Sequence, residues 1–318
     1  MGRFLLVCAA LAFLAACSDG GNTAPAGDGA PTAVLTPEAD PQACTPVLVR
    51  SPGDSPESLP SGGLTREYLL HIPPSYDGAS RMPLLLAFHP YAANKEFFAE
   101  YSALGALADE RGFIVAFPDG TGDPRRWNSG LDPAGADDIA FTRDLLTKLD
   151  GELCIDASRT YAAGYSNGGG MAQRAVCEIP EAFAALAVVA STYTNCRVPV
   201  PLVAFHGLED ATVPFEGGGD NLLEPGVHEF QPVRKNLSEW ARTAGCDGLP
   251  NISRPAPEVE LSTFLNCPIG EGSVLLYAII PGGHTWPGAL IPIPTTGYTT
   301  EQINASQTMW DFFEAHPK

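Results

Sequence analysis

The sequence predicts an α/β fold in which a mostly parallel central sheet carries helices on both faces. Three observations carry this. Apolar runs of strand length alternate with runs of helical character from residue 83 to near the C-terminus. Three of the apolar runs end in turns that hold a serine, a carboxylate and a histidine, in that order. The 318 residues, 45% hydrophobic and 17% charged, suffice for one sizeable core.

The first strand in chain order is Pro83–His89, a buried Pro-Leu-Leu-Leu-Ala-Phe-His run, with Phe97–Glu110 after it as a helix. Phe113–Phe117 is the next strand. Asp137–Asp150 is the next helix, opened by Asp137 and Asp138, whose carboxylates complement the positive end of the helix dipole. Arg159–Tyr165 is a strand that runs into the small-residue helix Gly168–Cys177. Strands Ala184–Ala190 and Pro201–His206, helix Val233–Ala244, strand Ser273–Ile280 and helix Glu301–His316 complete the alternation. No internal repeat is visible.

The junction Gly164-Tyr165-Ser166-Asn167-Gly168 is the most informative stretch. Gly-x-Ser-x-Gly between a strand and a helix is the pattern of a nucleophile elbow, a strained turn that holds a serine hydroxyl up for attack. Glycines flank the serine because a Cβ there would collide with strand and helix. The competing reading is a plain glycine-rich turn.

Two later strand ends discriminate between these. Strand Pro201–His206 ends in Gly207-Leu208-Glu209-Asp210, and strand Ser273–Ile280 runs into Pro281-Gly282-Gly283-His284. The order Ser166, Asp210, His284, each just past a strand's C-terminal end, is that of the α/β-hydrolase fold and not of chymotrypsin or subtilisin. Neutral serine is a poor nucleophile, so His284 would take its proton and return it to the leaving group. Asp210 would fix the imidazole tautomer, with Glu209 as the competing acid. His89 and His206, also at strand ends, read as structural histidines.

Oxyanion donors are expected from the backbone N–H of Asn167, after the nucleophile, and from the loop after Pro83–His89. Pro90 has no N–H, so Tyr91 is the candidate there, and its ring offers an apolar wall for an acyl group. Trp127 and Asn128 lie beyond a strand end, where they either contact substrate or pin their loop. Phe215, after the acid loop, is a candidate acyl contact.

Several blocks, in order, resemble secreted esterases grouped as polyhydroxybutyrate depolymerases and feruloyl or acetylxylan esterases. They are Tyr68–Tyr76, Pro83–His89, Trp127-Asn128, Asp137-Asp138-Ile139, Gly164–Gly169, His206-Gly207 with Asp210, and Gly282-Gly283-His284-Thr285-Trp286-Pro287-Gly288. The resemblance implies Ser166, Asp210 and His284 as nucleophile, acid and base, with Trp286 lining the substrate site beside the base. The family usually reads His-Gly where this chain has His89-Pro90, so the oxyanion loop is expected to differ in shape.

The first residues form a signal: a positive start at Met1–Arg3, an apolar run Phe4–Leu14 too short to span a bilayer, and Leu14-Ala15-Ala16-Cys17, similar to a bacterial lipobox. Residues 1–16 are therefore expected to be a lipoprotein signal peptide. Residues 17–43 would be lipidated Cys17 with a disordered Gly/Pro/Ala/Thr-rich tether, and 44–318 the catalytic domain. The alternative is ordinary secretion. Beyond Cys8 and Cys17, the remaining six of the eight cysteines suit disulfides in an exported protein. Cys246 and Cys267 are the expected pair, since both lie in an irregular Pro-rich segment that needs a staple.

A formal charge of −19 argues against nucleic-acid binding. Gly217-Gly218-Gly219 lacks the Lys-Ser/Thr of a phosphate loop, and no Cys or His spacing suits zinc. The expectation is an exported, membrane-anchored and monomeric serine esterase needing no metal or organic cofactor. Its expected substrates are feruloyl or acetyl cell-wall esters or 3-hydroxybutyrate polyester. An aromatic polyester hydrolase, a prolyl-oligopeptidase-type peptidase and a non-catalytic ligand-binding lipoprotein are the alternatives.

Overall fold

Ten strands form one sheet: β1 (Gly53–Ser61), β2 (Leu64–Ile72), β3 (Met82–Phe88), β4 (Ile114–Pro118), β5 (Ile155–Tyr165), β6 (Ala185–Val189), β7 (Leu202–Gly207), β8 (Asp247–Ala256), β9 (Val259–Leu265) and β10 (Val274–Ile279). The computed structural model describes residues 44, 50–129, 132–192, 198–219 and 229–318. The expected signal peptide 1–16, the tether 17–43 with Cys17, and Cys196 lie outside the described residues.

The strand order is β1-β2-β4-β3-β5-β6-β7-β10-β9-β8. From β4 through β10 the pairings are parallel, and antiparallel hairpins close both edges. The side-chain period of two divides β3 between two cores. Leu84, Leu86 and Phe88 pack with helices α3 (Asp138–Glu152), α4 (Asn167–Glu178) and α5 (Val233–Thr243). Leu85 and Ala87 pack with α1 (Lys95–Ser102), α2 (Leu104–Arg111) and α6 (Ala305–Glu314). Strands covered on both faces must be apolar throughout, which is why the central runs are legible in the sequence.

Three regions depart from the sequence reading. The helix expected over Phe97–Glu110 is broken at Ala103, whose left-handed φ of 53° separates α1 from α2. Strands β1 and β2 are absent from the sequence reading. β1 carries Pro56 and Pro60 and buries little, as an edge strand can. The supposedly irregular segment around Cys246 and Cys267 is the β8–β9 hairpin. β8 is exposed along nearly its whole length, so no apolar period marks it.

Cys246 and Cys267 are bonded to each other across the base of that hairpin. Cys44 is bonded to Cys154 across 110 residues, joining the start of the domain to the start of β5. Cys177 is also disulfide-bonded.

The loops that matter sit at the C-terminal ends of the parallel strands. At the start of α3, Asp137 caps the helix by accepting from Ala140 N–H. Buried Asp138 accepts from Arg66 Nη2 at 2.7 Å and from Asn128 N–H at 2.7 Å, so it fixes the loop after Trp127.

Candidate active site

Ser166 stands between β5 and α4 with φ 54° and ψ −124°. A non-glycine residue there is strained by about 1–3 kcal/mol and persists only where its surroundings hold it. Ser166 N–H donates to Val189 O at 2.9 Å, and Gly170 N–H donates to Ser166 O at 3.1 Å. The glycines do what the pattern requires. A Cβ on Gly164 would lie 2.1 Å from Gly168 O, and one on Gly168 would lie 2.2 Å from Phe88 O.

Asn167 locks the elbow to a neighbouring loop. Its Oδ1 accepts from Trp127 N–H at 2.7 Å, and its Nδ2 donates to Trp127 O and Ser129 Oγ. Its own N–H, in the first turn of α4, has no partner within the helix.

His284 lies in the loop after β10 and Asp210 in the loop after β7. His284 Nδ1 is 2.8 Å from Asp210 Oδ2, and its Nε2 is 2.9 Å from Ser166 Oγ. An ionised carboxylate only accepts, so Nδ1 carries the hydrogen and Nε2 offers its lone pair to the serine. The other carboxylate oxygen accepts from Thr212 N–H at 2.9 Å and Val213 N–H at 2.8 Å. His206 Nε2 donates to Val213 O at 2.8 Å and stands 3.4 Å from Asp210 Oδ2. Burial pushes the Asp210 carboxyl up, but the hydrogen bonds from His206 and His284 outweigh it and hold it well below the usual carboxylate range. Glu209, the competing acid, is exposed.

The main chain of His284 is held on two sides. Its N–H donates to Thr296 O at 2.7 Å, and its carbonyl accepts from the Tyr165 hydroxyl at 2.5 Å. The Tyr165 ring also lies 5.2 Å from the imidazole. Burial pushes the Tyr165 phenol far up, so it remains a donor. Tyr101, beside Tyr165, accepts from Trp286 N–H at 3.2 Å.

A cavity of about 1090 Å³ reaches Ser166 and His284. Tyr91, 39% exposed, is part of its wall, with Phe97, Phe230 and Ile293. Among the described residues Tyr91 N–H has no hydrogen-bond partner, whereas Ala92 N–H is taken by Arg125 O at 2.8 Å. Three expected substrate contacts are corrected. Trp127 is 1% exposed and donates from its indole to His89 O at 2.9 Å, so it pins its loop from within. Trp286 is 1% exposed, with its indole donating to Ser306 Oγ at 3.0 Å beneath the His284 loop. Phe215 is 3% exposed, packed edge-on to His206. None of the three lines the cavity.

Sequence reasoning missed Phe97, Phe230 and Ile293. They come from α1, from the approach to α5 and from the loop after His284, and no sequence period links them. His89 and His206 are both buried and hydrogen-bonded. Among the described residues no group of three or more His, Cys, Asp or Glu is arranged to hold a metal ion.

Residues 66–196 match the family model described as "Esterase PHB depolymerase". That match spans about two fifths of the chain and shows a similarity to this esterase family. The chain is 32% identical over 230 residues to feruloyl esterase B of Piromyces equi, covering 69% of this chain and 42% of that one. The chain thus spans less than half the length of that relative. It is 28% identical to the candidate esterase NocK of Nocardia uniformis subsp. tsuyamanensis, over 96% of both chains. Among solved structures, an acetyl xylan esterase from Aspergillus awamori superposes with a TM-score of 0.58 at 16% identity, covering 82% of this chain and 99% of that one. The chain therefore has the α/β-hydrolase fold.

Proposed function

We propose that the domain hydrolyses carboxylic esters through an acyl-enzyme formed on Ser166. The observation that carries this reading is the chain of contacts Ser166 Oγ–His284 Nε2 at 2.9 Å and His284 Nδ1–Asp210 at 2.8 Å, at a cavity open to substrate. Ser166 Oγ attacks the carbonyl carbon as its proton passes to His284 Nε2. Asp210 stays ionised and stabilises the imidazolium. The developing oxyanion is met by the N–H groups of Asn167 and Tyr91, each worth about 10²–10³ in turnover. His284 then protonates the leaving alcohol, and water repeats the sequence to release the acid.

The relatives named feruloyl esterase and acetyl xylan esterase favour cell-wall esters, and the Tyr91, Phe97, Phe230 and Ile293 wall suits an aromatic or other apolar acyl group. The family description favours 3-hydroxybutyrate esters as the second reading. Disulfides persist in oxidising compartments, so Cys44–Cys154 and Cys246–Cys267 support export. Membrane anchoring through Cys17 rests on the Leu14–Cys17 pattern. Incorporation of labelled palmitate that persists in Cys17→Ser would refute it.

The deciding experiment is hydrolysis of p-nitrophenyl acetate and butyrate, methyl ferulate, acetylated xylan and 3-hydroxybutyrate oligomers by wild type and Ser166→Ala. Turnover should fall by about 10⁴–10⁶ in the variant. A folded variant keeping a tenth of the activity would exclude Ser166 as nucleophile.

A further inference from the structure

We propose that Arg125 makes this site selective for esters that carry a free carboxylate away from the scissile bond, such as half-esters of aliphatic diacids or short hydroxy-acid oligomers. The inference rests on the serine-esterase reading above and names a substrate class for that same site.

Arg125 is the one lysine or arginine among the described residues that line the cavity. Its loop is braced. Thr121 and Arg126 exchange hydrogen bonds of 3.1 and 2.9 Å, and Arg125 O accepts from Ala92 N–H next to the expected oxyanion donor. Its side chain is anchored from behind, with Nη1 2.5 Å from Oδ2 of buried Asp119. The Arg125 side chain remains 43% exposed. One of its five donors is used there, and a planar fork held in place loses little freedom on gripping a second carboxylate.

The charge behind Arg125 is not exhausted by that contact. Asp119 is shared with Lys95 Nζ at 3.1 Å and lies 3.1 Å from His89 Nε2. Lys95 is also paired with Glu67 and Glu96. Asp123 lines the same cavity, but it is exposed and makes no ion pair among the described residues. A chain of formal charge −19 repels anionic esters at long range, so a fixed cation inside the cavity is where that repulsion can be reversed.

The test compares two matched pairs of substrates on the full chain. On the acyl side these are the mono-4-nitrophenyl ester of adipic acid and its methyl-capped diester. On the alcohol side they are the 3-hydroxybutyrate dimer and its methyl ester. Wild type should prefer the free acid in at least one pair, with the preference shrinking as salt rises. In Arg125→Gln the ratio of kcat/KM for acid over capped ester should fall by about 10- to 100-fold, the worth of a charge-assisted hydrogen bond. Any change common to both members cancels in the ratio. Arg125→Lys, which keeps a charge for Asp119, should give an intermediate ratio and covers the case in which the glutamine variant fails to fold. Asp123→Asn should raise the ratio. Ser166-dependent turnover with a ratio that Arg125 variants leave unchanged would overturn this inference alone. Turnover of neither pair by an enzyme that hydrolyses methyl ferulate or p-nitrophenyl acetate would also overturn this inference alone. Turnover that survives Ser166→Ala would overturn the esterase reading with it.

Discussion

The hydroxyl of Tyr165 donates to the main-chain carbonyl of His284 at 2.5 Å, so the residue before the elbow serine holds the residue that faces it. The elbow and the histidine loop are separated by more than a hundred residues, and this bond ties them directly. Tyr165→Phe would leave a buried carbonyl unpaired, at a cost of about 1–3 kcal/mol. Thermal unfolding should show the loss. Turnover should fall by roughly tenfold, because the main chain that carries the imidazole loses one of its two holds. A variant with wild-type kcat would mean that Thr296 O alone positions His284.

The identity of the acid can be tested in the same assay. Asp210→Asn should lower kcat by about 10⁴, as the amide would hold the wrong imidazole tautomer. Glu209→Gln, on an exposed side chain, should stay within about twofold. Reversed magnitudes would move the acid to Glu209.

Acid stability depends on the Asp210 environment. Its folded pKa is depressed, so its contribution is full above the unfolded value of about 3.9 and is lost as pH falls towards the folded value. Urea unfolding of wild type and Asp210→Asn between pH 6 and pH 2.5 should therefore give stabilities whose difference narrows below about pH 4. A constant difference across that range would show that Asp210 is not held ionised by its histidines.

The two fully described disulfides should differ in worth. Closing the 21-residue separation of Cys246–Cys267 is worth roughly 3 kcal/mol in the chain-entropy account, and the 110-residue separation of Cys44–Cys154 nearly 5 kcal/mol. Paired Cys→Ser variants measured by denaturant unfolding should fall in that order. The opposite order would show that the hairpin, not the closed loop, dominates.

The central strands and the three site residues are legible in the sequence because each obeys a local rule. Strands β3, β4, β6 and β7 are buried throughout and so read as largely apolar runs. Gly164 and Gly168 flank Ser166 because main chain lies within 2.1 and 2.2 Å of where their Cβ atoms would be. Edge strands β1 and β8 obey no such rule, since a strand exposed to solvent tolerates proline and polar residues. Trp127, Trp286 and Phe215 mislead for a related reason. An aromatic residue near a functional loop has the same sequence appearance whether its ring faces substrate or supports the loop from inside.

By itself the sequence determined the α/β class, the elbow and the order Ser166, Asp210, His284, because strand burial and the steric demand for glycine are written in neighbouring residues. Only the tertiary structure decided that Asp210 and not Glu209 meets His284, that Tyr165 clamps the His284 carbonyl, and that Phe97, Phe230, Ile293 and Arg125 share one cavity. Those relations join residues tens to more than a hundred positions apart. They exist only once parallel strands have brought their C-terminal loops together, and no local period of the chain records them.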